Sequence, residues 1–195
     1  EAKHAPPTSP PAKAVADFRF EAVNAASANH AVTLAPGRDA TLDLELLFVT
    51  TLNPADGTAY PRLLLTAAPN SRVNLVERHL SAPGITGVTN AAARVVVGDG
   101  AHVVWTRVQQ QAPTAQFVES LHVTLAASSE LALQNIAVGA QFARTTARVE
   151  LAGAGAQLSL HGLALADATR VLDGYVHVEH LAPHTRTTEI FRGIT

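Results

Sequence analysis

The chain has 195 residues, of which 47% are apolar, and its formal net charge is -2. This length allows one domain with a substantial core, and the apolar content excludes global disorder. The small net charge provides no electrostatic footprint for nucleic acid or anionic lipid. Cysteine is absent and no apolar run reaches the roughly 18 residues of a membrane span. The composition therefore predicts a soluble, cytoplasmic chain without disulfides or thiolate metal ligands.

Residues 1–16, "EAKHAPPTSPPAKAVA", are rich in proline and poor in apolar residues, which predicts an extended leader. Residues 17–195 consist of short alternating apolar runs broken by Gly, Pro, Asn, Asp and Ser, such as "ATLDLELLFV" at 40–49. A period of two is typical of strands, and no long segment shows a helical apolar stripe. The sequence therefore predicts an all-β core domain over 17–195.

A repeat emerges when the small residue that ends each turn and precedes an alternating run is aligned. The aligned residues are Ala40, Ser71, Ala101, Ser129, Ala156 and Thr185, at spacings of 31, 30, 28, 27 and 29. Such intervals favour a solenoid over an antiparallel sandwich, whose turns recur about every 8–12 residues. We predict a right-handed parallel β-helix of about six turns of about 29 residues. The Gly-rich stretches at 98–101 and 153–156 then form its corners rather than phosphate loops.

The stretch "HVEHLAPH" contains the first candidate metal ligands: His177, Glu179, His180 and His184. Imidazole and carboxylate together can bind a borderline divalent metal. On a strand, however, His177 and Glu179 point to one face and His180 to the other, so these groups converge only at a bulge or turn. The alternative interpretation places His180 at a corner and the others in solvent.

The stretch "PNSRVNLVERHLS" at 69–81 contains a second candidate pair, Glu77 and His79, with Arg78 between them. Glu77 and His79 share the parity of the apolar residues that precede them, so we expect a bulge or corner to break the alternation here. An ion pair from Glu77 to Arg94 or Arg107 of a neighbouring turn is also expected. We favour a structural role for this trio over a catalytic one.

Three runs of the sequence resemble the SufB/SufD family, the β-helical subunits of the bacterial SufBCD iron–sulfur cluster assembly complex. They are "PRLLLTAAPNSRVNLVERHLS" (61–81), "LQNIAVGAQFARTTARVELAGAGAQLSLHGLAL" (134–165) and "VLDGYVHVEHLAPHTRTTEIFRGI" (171–194). The last is the most specific, because Asp173, His180, Pro183, Thr187 and residues 191–194 are similar to the family's "D…H…P…S…K-G-I" ending. The text "LVERHLS" is closer to the SufD branch.

The resemblance covers residues 32–195 and implies a non-catalytic scaffold subunit that pairs with a SufB-like partner and a SufC-like ATPase. It implies that the complex handles the iron–sulfur cluster. The absence of cysteine predicts that this chain binds no such cofactor by itself. A homodimer through one β-helix end is also expected. The family's preceding helical segment, last β-helix turns and C-terminal helices have no matching positions here. No downstream functional residue can therefore be carried over.

Two alternatives remain open from the sequence. A β-helical polysaccharide lyase or hydrolase would need clustered carboxylates along a groove, whereas the 16 acidic residues are dispersed and aromatic residues make up only 5%. A stand-alone, self-assembling β-solenoid would pair end to end through its uncapped strands.

Overall fold

The structure, a computed structural model, describes residues 19–28, 31–51, 57–167 and 169–195, so the predicted leader at 1–16 lies outside the described residues. The described elements are one helix and a series of strands. They are α1 Arg19–Ser27, β1 Val32–Leu34, β2 Thr41–Thr50, β3 Thr58–Ala59, β4 Arg62–Ala67, β5 Arg72–Ser81, β6 Val88–Val97, β7 His102–Gln110, β8 Gln116–Leu125, β9 Glu130–Ala137, β10 Phe142–Leu151, β11 Gln157–Leu165, β12 Val171–His180 and β13 Arg186–Ile194.

The strands form two wholly parallel sheets. One sheet has the order β1-β4-β6-β8-β10-β12, with β3 also paired to β6, and the other has the order β13-β11-β9-β7-β5-β2. From β4 onward, consecutive strands alternate between the sheets, so the chain winds as a β-solenoid of about five turns of about 29 residues. The predicted all-β solenoid is confirmed. The turns number about five because the six aligned corners enclose five intervals.

The strand register confirms the corner alignment. Arg72 follows the aligned Ser71, and it pairs with Thr41 on one side and His102 on the other, each of which also follows an aligned residue. The residue before each aligned position has a positive φ: Asp39, Asn70, Gly100, Ser128, Gly155 and His184. A positive φ at the third residue of a β-turn favours Gly or Asn, which explains the composition of these corners.

The interior between the sheets has an apolar zone beside these tight corners. Alternating side chains of both sheets point inward there, among them Leu65, Val123, Leu75, Trp105 and Leu133, and all are at most 2% exposed. Parallel stacking places apolar residues of successive turns over one another, since Leu75, Trp105 and Leu133 are register partners. Nearer the opposite edge, the interior becomes polar, and this second zone contains the candidate site.

Helix α1 was not predicted, because its sequence has no apolar stripe that periodicity could reveal. It packs against β6 and β8 largely through polar groups. Asn24, which is fully buried, donates to the carbonyls of Pro61 and Asn90 and accepts from Arg62. Hydrogen bonds to residues distant in sequence, rather than an apolar face, thus hold this short helix against the sheet. No helix in the described part of the chain is long and apolar enough to cross a membrane.

Close stacking at the corners leaves Gly153 little room for a side chain. A Cβ on Gly153 would lie 2.0 Å from the backbone nitrogen of Ala127 in the adjacent turn. We expect Gly153→Ala to lower the free energy of unfolding by about 3 kcal/mol, because backbone atoms must shift. Gly37 occupies the same corner position in the first turn, with nothing within 4 Å of its added Cβ. Gly37→Ala is thus the matched control, and equal losses in urea denaturation would contradict this explanation.

Candidate functional site

The side chains of Glu77 and His79 point into the solenoid interior, where each is 2% exposed. The alternation that begins at Val73 continues through both residues without a bulge. The predicted break in parity is therefore wrong, because the interior itself accommodates these charges. Arg78 points outward, as the sequence predicted, and its Nε donates to Glu45 at 2.6 Å on the surface.

Arg107 is the register partner of Glu77 on the neighbouring strand β7. Its Nη2 donates to Glu77 Oε1 at 3.0 Å and its Nε to Glu77 Oε2 at 3.3 Å. The same guanidinium donates through both terminal nitrogens to Glu119, which enters from β8 in the opposite sheet. The predicted Glu77–Arg107 pair therefore exists, but it is buried, and the alternative partner Arg94 instead lies 3.4 Å from Glu21.

Glu77, His79, Arg107 and Glu119 together form what we call the charge cluster. His79 Nε2 lies 2.6 Å from Glu77 Oε1, so the imidazole also belongs to the hydrogen-bond network. The His79 ring stacks on Phe48 and meets Phe117 edge-on, with both ring centroids 5.0 Å away. These two aromatic rings hold the imidazole in one orientation.

Trp105 from the same strand as Arg107, and groups from two further strands, complete the charge cluster. Trp105 Nε1 donates to Glu77 Oε2 at 2.9 Å, and the guanidinium of Arg107 lies over the Trp105 ring. Asn135 Oδ1 accepts from Arg107 at 3.4 Å, and Thr145 donates to Glu119 at 3.4 Å. Every carboxylate in the cluster is therefore matched by buried donors, as buried ions require.

The electrostatics keep Glu77 and Arg107 ionised. Burial alone would raise the pKa of Glu77, but Arg107 and then His79 hold that pKa well below its usual range. Burial alone would lower the pKa of Arg107, but Glu119 and Glu77 raise that pKa above its ordinary value. The result is a charged Glu77–Arg107 pair in a medium where unpaired charge is costly.

The predicted pair His177 and Glu179 lies on the outer face of β12, where His177 Nε2 is 2.8 Å from Glu179 Oε1. Arg148 on the neighbouring strand donates to the other oxygen of Glu179 at 3.0 Å. Hydrogen bonds from His177 and Arg148 lower the pKa of Glu179 from its usual value. This pair resembles the Glu77–His79 pair in sequence spacing and in its arginine partner, but it faces solvent.

The other two predicted ligands lie apart from this pair. His180 points to the opposite face, as predicted, and its ring nitrogens contact the hydroxyls of Thr185 at 2.7 Å and Thr187 at 3.3 Å. His184 is the residue with positive φ in the last corner, where it takes the position of Asn70 and Gly100 in earlier turns. The structure therefore does not bring the four residues of "HVEHLAPH" together at one point.

Glu77, His79 and Glu119 are the one His/Glu group that could hold a metal ion in the parts of the chain that the structure describes. One ligand atom from each residue lies within 4.8 Å of the others. Sequence reasoning missed Glu119 because it belongs to the other sheet. A continued inward alternation from Phe117 would have placed Glu119 in the interior, but not opposite Glu77.

The fold and the site define the chain as a parallel β-solenoid with two interior zones. The interior is apolar beside the tight corners and contains buried ion pairs nearer the opposite edge. The family model described as "SUF system FeS cluster assembly, SufBD core domain" matches residues 49–195. This match covers well over half of the chain and the turns that form the charge cluster. The chain therefore belongs to the SufBD core family of iron–sulfur cluster assembly proteins. No curated protein matches the chain significantly.

Proposed function

We propose that this chain is a SufD-like, non-catalytic scaffold subunit that works in the cytoplasm with a SufB-like partner and a SufC-like ATPase. The observation that carries this proposal is the family match over residues 49–195, which coincides with nearly the whole solenoid. The site chemistry agrees with a scaffold, since arginine engages the carboxylates of both Glu/His pairs. In this role the chain contributes shape and surface to cluster assembly.

Exposed apolar side chains on the last turn support a partner surface there. They are Val171, Leu181, Ile190, Phe191 and Ile194, each between 43% and 60% exposed. These side chains lie on or beside β12 and β13, the outermost of the described strands in their sheets. Exposed apolar patches are typical of association surfaces. We propose that a SufB-like subunit binds at this end.

The absence of cysteine bears on where a cluster is held. Protein-bound iron–sulfur clusters are held mainly by thiolates, and this sequence contains none. In the proposed complex, thiolate ligands therefore come from the partner, and this chain binds no cluster when it is alone. An anaerobic reconstitution with iron and sulfide should leave the isolated chain without cluster absorption.

The test is co-expression of the full chain with tagged SufB-like and SufC-like proteins from the same organism, followed by affinity purification. We expect all three proteins to co-purify, and Ile190→Asp, on the outer face of β13, to reduce recovery by at least tenfold. The matched control is Val104→Asp, an exposed valine on the outer face of β7, which should leave recovery unchanged. Failure of the unaltered chain to co-purify would overturn the proposal, and open-ended oligomers larger than a homodimer in light scattering would instead favour the self-assembling solenoid.

A further inference from the structure

The guanidinium of Arg107 occupies the point where three possible metal-ligand atoms converge. Its Nη2 lies 3.0 Å from Glu77 Oε1 and 3.4 Å from His79 Nε2, and it also contacts Glu119 Oε1. One ligand atom from each of Glu77, His79 and Glu119 lies within 4.8 Å of the others. A single nitrogen of arginine therefore has the position that a coordinated cation would have in a site made from these three residues.

The donor set around this nitrogen is chemically suited to a first-row divalent metal. Two carboxylates and one imidazole are ligands that Zn²⁺, Fe²⁺ and Co²⁺ accept. With a neutral imidazole, the three ligands carry a formal charge of -2, which a divalent ion would balance. The Arg107 guanidinium balances only one of these two negative charges. Its size and its hydrogen bonds, rather than full charge compensation, therefore favour the guanidinium at this position.

The surroundings of the three ligands are already organised. Phe48 and Phe117 fix the His79 ring, and Trp105 donates to Glu77. Such outer contacts orient ligands in established metal sites. A cavity of about 450 Å³ in the last turns is lined in part by Asn135 and Thr145, which hydrogen-bond Arg107 and Glu119 respectively. The charge cluster therefore lies directly behind one wall of this cavity.

We infer that Glu77, His79 and Glu119 form a divalent metal site that Arg107 keeps closed in the native chain. The guanidinium takes the cation position, so free iron or zinc does not bind inside the solenoid. Removal of the guanidinium opens the site to one metal ion. This inference goes beyond the scaffold role and does not depend on it, since it concerns only residues inside this chain.

The experiment is a Co²⁺ titration of the full chain under anaerobic conditions, followed by visible absorption and by metal analysis after gel filtration. Surface histidines contribute equally to all variants, so the measured quantity is the difference from the unaltered chain. We expect Arg107→Ala to bind one additional equivalent, with a ligand-field spectrum that Zn²⁺ abolishes. Arg107→Lys retains a cation and should bind no additional equivalent.

Two further variants identify the ligands. Adding Glu119→Gln or His79→Gln to Arg107→Ala should remove the additional equivalent. Adding Glu179→Gln on the outer face should leave it in place. A folded Arg107→Ala protein without additional Co²⁺ would overturn the inference. It would also be overturned if the unaltered chain bound Co²⁺ in a way that His79→Gln removes, because Arg107 would then not close the site.

If the Arg107→Ala protein does not fold, the experiment becomes refolding from urea in the presence of each metal. In that case we expect Co²⁺ or Zn²⁺, but not Mg²⁺, to restore the β-sheet circular dichroism signal, because the metal replaces the missing cation. Lack of recovery with all three metals would count against the site. These readouts require no partner subunit, so failure of the co-purification test and failure of this one are distinguishable.

Discussion

Replacing Arg107 with methionine is expected to lower the free energy of unfolding by about 3–5 kcal/mol. Methionine retains much of the side-chain volume but removes the guanidinium that contacts both Glu77 and Glu119, which are 2–3% exposed. The two carboxylates would then lie in the interior without the guanidinium that pairs with both. The loss reflects buried, uncompensated charge rather than a cavity.

The control for this prediction lies on the adjacent strand. Arg78 donates to Glu45 at 2.6 Å, a distance comparable with those in the charge cluster, but these side chains are 40% and 53% exposed. Exposed pairs contribute about 0–1 kcal/mol, so Arg78→Met should have little effect. Both variants are compared by urea denaturation, with unchanged slopes as evidence that the same transition is measured.

The cause of the loss can be tested with the carboxylates. In the background of Arg107→Met, the changes Glu77→Gln and Glu119→Gln should recover most of the stability, because neutral amides are less costly to bury. A triple variant as unstable as Arg107→Met would mean that packing, not charge, dominates. A loss below about 1 kcal/mol in Arg107→Met itself would contradict the buried ion pair.

The turn length and corner positions could be predicted from the sequence because each corner imposes a local requirement. A residue with positive φ and then a small residue recur at every turn, and parallel stacking keeps the interval nearly constant. Helix α1 could not be predicted in the same way. Its docking depends on hydrogen bonds between Asn24 and residues far away in sequence, which no local pattern encodes.

The buried position of Glu77 can be predicted when the alignment of the corner residues is extended along the strand that follows each corner. The inward residues lie two, four and six positions after each aligned small residue, so the sixth position contains Glu77, Arg107 and Asn135 in successive turns. A preference for placing charge at the surface favoured a break in parity instead. That preference fails where complementary charges stack in adjacent turns. The contact with Glu119 depends on the distance between the two sheets, which the sequence does not specify.

The two Glu/His pairs selected as metal ligands have real contacts, but each also has an arginine partner. Arg107 bonds to Glu77 in the interior, and Arg148 bonds to Glu179 on the outer face. In both cases the arginine lies at the register partner of one residue of the pair, Glu77 or His177. Spacing along one strand reveals such a pair, whereas the arginine beside it comes from a neighbouring turn.

Replacing Trp105 with alanine is expected to lower the free energy of unfolding by about 3–5 kcal/mol. Trp105 is the largest fully buried side chain in the described part of the chain, and it joins the two interior zones. Its ring packs between the register partners Leu75 and Leu133, while its Nε1 donates to Glu77. Val104→Ala, an outward neighbour that is 42% exposed, should change stability by no more than about 0.5 kcal/mol.

Trp105→Phe separates packing from the hydrogen bond. Phenylalanine keeps an aromatic ring near the Arg107 guanidinium but cannot donate to Glu77, so we expect a loss of about 1.5–3 kcal/mol, as for hydrogen bonds to charged groups. A double-mutant cycle with Glu77→Gln measures the coupling directly. Coupling near zero would mean that Arg107 alone satisfies Glu77, and that the indole serves only to fill space. Strong coupling would mean that the apolar core and the charge cluster are stabilised as one unit.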